Sequence, residues 1–134
     1  MIFFLDADIC IFALRGQYPH LKKAFQACLA ESIKIPSLVA AELEFGALVS
    51  DSPLTAQKAV AEFLMPYEII PFDKNAAGIY AAIRADLQQK GRMIGPNDLV
   101  IAATVLACHG TLVTHNTKEF SRISGLKFQD WTHA

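Results

Sequence analysis

Ile2-Phe3-Phe4-Leu5-Asp6-Ala7-Asp8-Ile9-Cys10-Ile11-Phe12-Ala13-Leu14 opens with a short apolar run, meets an acid, and continues into a second apolar run. A short apolar run closed by a polar residue reads as a buried strand. Residues 9–14 read as a helix, stopped near Gly16. The alternation repeats. Residues 21–29 are predicted helical and 33–35 extended. Ser37 is placed as the N-cap of a helix through Val49. Ser52-Pro53 starts another helix, to about Leu64. Residues 67–72 form a third strand, and Asp73 caps a long helix ending at Gly91. A helix from Pro96 ends around Gly110, residues 111–114 form a fourth strand, and 126–128 are a candidate fifth. Strands separated by helices predict one α/β domain over residues 1–134. Its core would be a mostly parallel four- to five-stranded sheet with helices on both faces.

The 134 residues are 53% hydrophobic and 19% charged, with a formal net charge of −1. That composition excludes a disordered chain. The apolar surplus predicts surface covered by a second copy or a partner. A near-neutral total does not mark a nucleic-acid binder, so such a role needs a local basic patch. Cys10, Cys28 and Cys108 form no C-x-x-C pair and are expected as core packing in a reducing cytosol. No basic leader follows Met1 and no apolar run reaches membrane-spanning length, so the expected location is the cytoplasm. The histidines, at 20, 109, 115 and 133, lack ligand spacing; His115 alone falls near the acids discussed next.

Ligands of open parallel sheets bind beyond the carboxyl ends of the strands. Four acidic neighbourhoods fall there or on adjacent helix starts. Asp6 closes the first strand, with Asp8 two residues on; both also suit the positive end of the next helix. Glu42 lies on an expected apolar stripe of Leu38, Ala41, Phe45 and Val49, whereas Glu44 faces solvent. Asp98 heads the stripe of Ile101, Ala102 and Val105, though Asn97 or Asp98 would also serve as a cap. Asn116 and Glu119 have capping-box spacing after the fourth strand, beside Thr114. Two unit charges about 4 Å apart repel by roughly 4 kcal/mol at an effective dielectric near 20. Converging carboxylates therefore share protons or recruit a cation, and oxygen donors favour magnesium or manganese.

The chain resembles the PIN-domain family, in particular VapC-type toxins of type II toxin–antitoxin systems. The residues that carry the likeness are Leu5-Asp6-Ala7-Asp8-Ile9, Ala41-Glu42-Leu43-Glu44-Phe45-Gly46 and Ile69-Ile70-Pro71-Phe72-Asp73. They continue with Gly91-Arg92-Met93-Ile94-Gly95-Pro96-Asn97-Asp98, Ile101-Ala102-Ala103, Leu112-Val113-Thr114-His115-Asn116-Thr117-Lys118-Glu119-Phe120 and Gly125-Leu126-Lys127-Phe128-Gln129-Asp130-Trp131. The resemblance implies Mg²⁺- or Mn²⁺-dependent cleavage of a transfer or ribosomal RNA, a VapB-type antitoxin docked across the active site, and a homodimer. It carries the acidic positions onto Asp6, Glu42 and Asp98, and the fourth onto Asn116, with Glu119 close behind. The family usually opens D-T-N or D-S-N; Ala7 lacks the hydroxyl and Asp8 adds a charge.

On this reading Asp6 and Asp98 ligate the metal, Glu42 binds its shell or helps deprotonate water, and Asn116 orients that water. Asp8, Thr114 and Glu119 would stand one step further out. Arg15, Lys22, Lys23, Arg92, Lys118 and Arg122 are candidate contacts to RNA phosphates. Phe12, Phe25 and Phe63 are either core or the lining of a partner groove. Two other readings stay open. The opening also resembles haloacid-dehalogenase-type phosphatases, in which Asp6 would be a phosphoryl nucleophile. The changes at Ala7 and Asp8 also fit a module that binds RNA or antitoxin without cutting.

Overall fold

The computed structural model describes residues 1–133; residue 134 of the expected domain lies outside them. In chain order the elements are β1 (Phe3–Leu5), α1 (Ala7–Leu14), α2 (Pro19–Gln26), β2 (Ile33–Pro36), α3 (Ser37–Leu48), α4 (Pro53–Leu64) and β3 (Glu68–Ile70). They continue with α5 (Lys74–Lys90), α6 (Pro96–Ala107), β4 (Thr111–Val113), α7 (Thr117–Phe120) and β5 (Lys127–Gln129). A 3-10 turn spans Ala30–Ser32.

The strands form one sheet in the order β3-β2-β1-β4-β5, and every pairing is parallel. Phe3 pairs with Ile33 on one side of β1 and with Thr111 on the other. The chain first steps from β1 out to β3, then returns to β4 and steps the other way. Right-handed crossovers therefore place the helices before β3 and those after it on opposite faces. The direction reverses between β1 and β4, which opens a crevice at their carboxyl ends. Phe4, Leu5, Leu112 and Val113 of these two strands are at most 1% exposed. Being covered on both faces explains why these strands read as plain apolar runs rather than alternating ones.

Local chemistry fixes the helix ends. The Asp73 carboxylate accepts a hydrogen bond from the Ala76 amide at 2.9 Å and caps α5. Gly91 ends that helix at φ 64°, a conformation that favours glycine. Three expectations are corrected. Ser37 is the first residue of α3 rather than its cap; Pro36 holds the cap position and no side chain caps the helix. The buried side of α3 is Val39, Ala40, Leu43 and Ala47, while Phe45 and Val49 are 65% and 66% exposed. Apolar residues surround most of this helix, so periodicity alone could not select a face. Only Cys10 is buried; Cys28 is half-buried and Cys108 is exposed, because α6 ends there.

Gly110 lets β4 start beneath the ring of Phe4. A Cβ at Gly110 would lie 2.5 Å from Phe4 Cδ1 and Cε1. Gly110→Ala is expected to lower stability by about 1–3 kcal/mol through overpacking, read as a lower urea midpoint at unchanged slope.

Candidate active site

Asp6 follows β1 directly and caps α1. Its Oδ1 accepts from the Ala7 amide at 2.8 Å and its Oδ2 from the Thr114 hydroxyl at 2.7 Å. Thr114 Oγ1 also accepts from the Asn116 amide at 3.0 Å. These bonds tie the carboxyl ends of β1 and β4 together across the crevice. Asp6 is only 6% exposed. Burial pushes its pKa up despite both hydrogen bonds, and Glu119 adds to the rise.

Asp98 projects from the first turn of α6 toward the same crevice. Neither it nor Asn97 caps the helix; Gly95 holds that position without a side-chain cap. Burial, then the charges of Asp6 and Glu119, and last that of Glu42 push the Asp98 pKa up to about 7. Glu42 enters from α3. Its Oε1 is buried with no hydrogen-bond partner. Burial and the Asp6 charge raise its pKa, partly offset by a hydrogen bond from the Asn97 side chain. Asn97, expected only as a cap, is signalled in the sequence by nothing more than its place one residue before Asp98.

Asn116 and Glu119 do not form the expected capping box. Asn116 Nδ2 donates to Glu119 Oε2 at 2.7 Å, and the Gly95 amide donates to Glu119 Oε1 at 2.7 Å. Glu119 therefore links α7 to the start of the Asp98 helix. Burial works against its charge, but the Gly95 and Asn116 amides, a hydrogen bond with Asp98 and the Arg122 charge hold its pKa below the usual value. Asp98 and Glu119 are thus a pair whose environments push their pKa values apart. Asp8 is built into the wall: Oδ1 accepts from Ile9 N at 2.7 Å and Oδ2 from His115 N at 3.1 Å. Burial and Asp6 raise the Asp8 pKa to about 6.

Among the described residues, no lysine or arginine forms an ion pair with Asp6, Asp8, Glu42, Asp98 or Glu119. The crevice therefore gathers one buried and several half-buried acids with no ion-paired protein cation, Arg122 offsetting Glu119 from a distance, and leaves an orphaned oxygen at Glu42. Oxygen-only donors of this kind suit a hard divalent cation. No three of these carboxylates bring oxygens within 4.8 Å of one another. An ion would touch one or two of them and reach the rest through its waters, as magnesium commonly does.

The predicted phosphate contacts divide. Lys23, Arg92 and Lys118 are exposed. Arg15 lines a groove with Glu42, between α1, α3 and α4. Lys22 borders a cleft of about 630 Å³ with Tyr18, Phe25, Phe63 and Tyr67. Arg122 is instead half-buried, with Nη1 donating to the Met93 carbonyl at 3.0 Å; it offsets Glu119 and braces the loop before α6. Phe12 packs edge-on against Tyr18 and His115, with ring centroids 4.9 and 5.7 Å away. The aromatic rim of Tyr18 and His115 was not anticipated, since no local spacing links the two residues.

A sheet whose switch-point crevice gathers acids from the end of β1, from α3 and from α6 defines a class, and the chain belongs to it: the PIN domain family, whose sequence profile matches residues 3–126. Within that family it is similar to "Ribonuclease VapC2" of Rickettsia felis, 39% identical over 133 residues, covering 98% of both chains. It is also 32% identical over 130 residues to the "tRNA(fMet)-specific endonuclease VapC" of Shigella flexneri, covering 97% of this chain and 98% of that protein. The fold superposes on the crystal structure of VapBC2 from Rickettsia felis bound to a promoter DNA fragment with a TM-score of 0.91. The identity there is 37%, over 98% of this chain and 99% of that one.

Proposed function

We propose that this chain is a Mg²⁺- or Mn²⁺-dependent endoribonuclease toxin that cuts a structured RNA, a transfer RNA or a ribosomal RNA loop. One observation carries the reading most: buried Asp6 and half-buried Asp98 and Glu42 converge with no ion-paired cation, and Glu42 Oε1 has no hydrogen-bond partner. The VapC names of its relatives support the RNA substrate.

Asp6 and Asp98 would hold the ion, directly or through water, and Glu42 would bind its shell or help deprotonate the attacking water. A bound divalent ion supplies a more acidic water and neutralises charge developing on the phosphate. Thr114 fixes the Asp6 rotamer, and Glu119 fixes both the Asp98 helix and the Asn116 amide. Asn116 orients the water. Asp8 holds the loop at His115. Arg15, Lys22, Lys23, Arg92 and Lys118 meet the RNA backbone, and that binding weakens as salt rises. A cognate VapB-type antitoxin and a second copy of the chain fit the apolar clefts and the exposed side of α3. The VapBC complexes among the structural neighbours support the antitoxin as a partner. No helix of the described residues is long and apolar enough to cross a membrane, which fits a cytoplasmic site of action.

The test is incubation of purified protein with total RNA, with Mg²⁺ and with a chelator, followed by mapping of new ends. Defined ends that appear with Mg²⁺ and vanish with chelator are expected. Equal cutting in chelator contradicts the metal assignment, and no cutting favours the module that only binds. Phosphate-monoester hydrolysis through an acid-stable aspartyl phosphate would favour the phosphatase instead. Asn116→Ala is expected to slow cleavage by about 10–100-fold, within the range of one positioned group, with the Mg²⁺ concentration for half activity unchanged.

A further inference from the structure

β4 and β5 lie side by side and parallel, so the segments leaving their carboxyl ends meet. His115 leaves β4; Asp130 and His133 follow β5. His115 Nδ1 lies 3.0 Å from Asp130 Oδ2, and His133 Nε2 lies 3.8 Å from the same oxygen. One ligand atom from each of the three falls within 4.8 Å of the others, and no other such trio exists among the described residues.

The arrangement is held from behind. Asp130 Oδ1 accepts from the Thr132 amide at 2.9 Å and the Thr132 hydroxyl at 2.6 Å, which leaves Oδ2 for the two rings. Thr132 and Trp131 are buried, and Trp131 packs edge-on against Phe3 and Phe25 with centroids 5.0 and 5.6 Å away. His115 is fixed from its own backbone, whose amide donates to Asp8. Such supporting bonds orient ligands and commonly accompany metal sites. The side chains of His115 and His133 are 40% and 68% exposed, so an ion has a path from solvent.

We propose that His115, Asp130 and His133 form a binding site for a divalent transition-metal ion of the zinc class, at the rim of the acidic crevice. Two imidazole nitrogens and one carboxylate oxygen suit zinc, whereas the crevice offers only oxygen and suits magnesium. Tetrahedral zinc, with bonds near 2.0–2.1 Å, sets its ligands about 3.4 Å apart. The observed 3.0 and 3.8 Å bracket that value, and all three ligand atoms lie within 4.8 Å of one another. Water takes the remaining position. The bound ion would pin the segment after β5 to the loop that carries Thr114 and Asn116. This inference does not depend on the nuclease reading.

The test is a Zn²⁺ titration of the metal-free protein against a chromophoric chelator, in millimolar Mg²⁺, with Co²⁺ absorption as a report of nitrogen ligation. Wild type is expected to bind one Zn²⁺ per chain. His133→Ala, at an exposed position, is expected to weaken it at least ~10-fold, since losing even a partner that only supports a ligand costs about 10–100-fold. His115→Ala should do the same, and Asp98→Asn should bind as wild type does. No Zn²⁺ binding by wild type overturns the proposal. So does binding that survives His133→Ala, or binding lost in Asp98→Asn.

Discussion

Asp98→Asn is expected to abolish Mg²⁺-dependent RNA cleavage, by at least ~10³-fold, without unfolding the protein. A loss of that size is about 4 kcal/mol of transition-state stabilisation, the scale of removing metal-held charge compensation. Asparagine has the same shape but cannot neutralise an ion. The fold should tolerate the change, because burial first, and then the charges of Asp6, Glu119 and Glu42, already disfavour a charged Asp98 and raise its pKa to about 7. Removing that repulsion leaves the metal-free variant equal to or more stable than wild type. An inactive variant with a raised Tm is the signature of a functional acid, since a structural acid would lose both. Retained activity would reject the assignment, and an inactive but unfolded variant would not support it.

The second large effect is a metal-dependent reversal of the pH dependence of stability. A carboxyl whose folded pKa is about 7 binds a proton between about pH 4 and 7 that the unfolded chain, near 3.9, does not bind. Stability of the metal-free protein therefore falls as pH rises through that window. Asp8, raised to about 6, adds to the fall in its lower part. Glu119 acts the other way, only below the usual glutamate range. Mg²⁺ binds the deprotonated crevice, so it should raise Tm strongly at pH 8 and little at pH 5. At a hundredfold excess over its dissociation constant the gain is about 2.7 kcal/mol. Thermal melts at both pH values, with Mg²⁺ and with chelator, check this. Equal Mg²⁺ effects at the two pH values would contradict it, and Asp98→Asn should flatten both trends.

The sheet and the heart of the crevice were legible because buried parallel strands are short apolar runs closed by acids. Asp6 follows Phe3–Leu5 directly, and Asp98 stands at the head of a helix whose apolar stripe is unambiguous. Glu42 was found through a stripe that proved exposed: α3 is apolar on most sides, so its charged residue was informative and its periodicity was not. The three-residue spacing of Asn116 and Glu119 correctly paired them, but their bond is side chain to side chain, and Glu119 reaches across to Gly95. That contact joins residues 24 positions apart, which no local pattern encodes. The same holds for His115 and Asp130, 15 positions apart and joined only by the pairing of β4 with β5. Arg122, a candidate phosphate contact by sequence, donates to the Met93 carbonyl 29 positions away, a bond that no local spacing signals.

Direct titration of Mn²⁺ into wild type and Asp98→Asn at pH 8, followed by electron paramagnetic resonance, goes to the root of the account. Wild type should bind an ion that Mg²⁺ displaces, and the variant should lose it. An unchanged titration in the variant, or no binding by wild type, would mean that the gathered acids do not hold a metal.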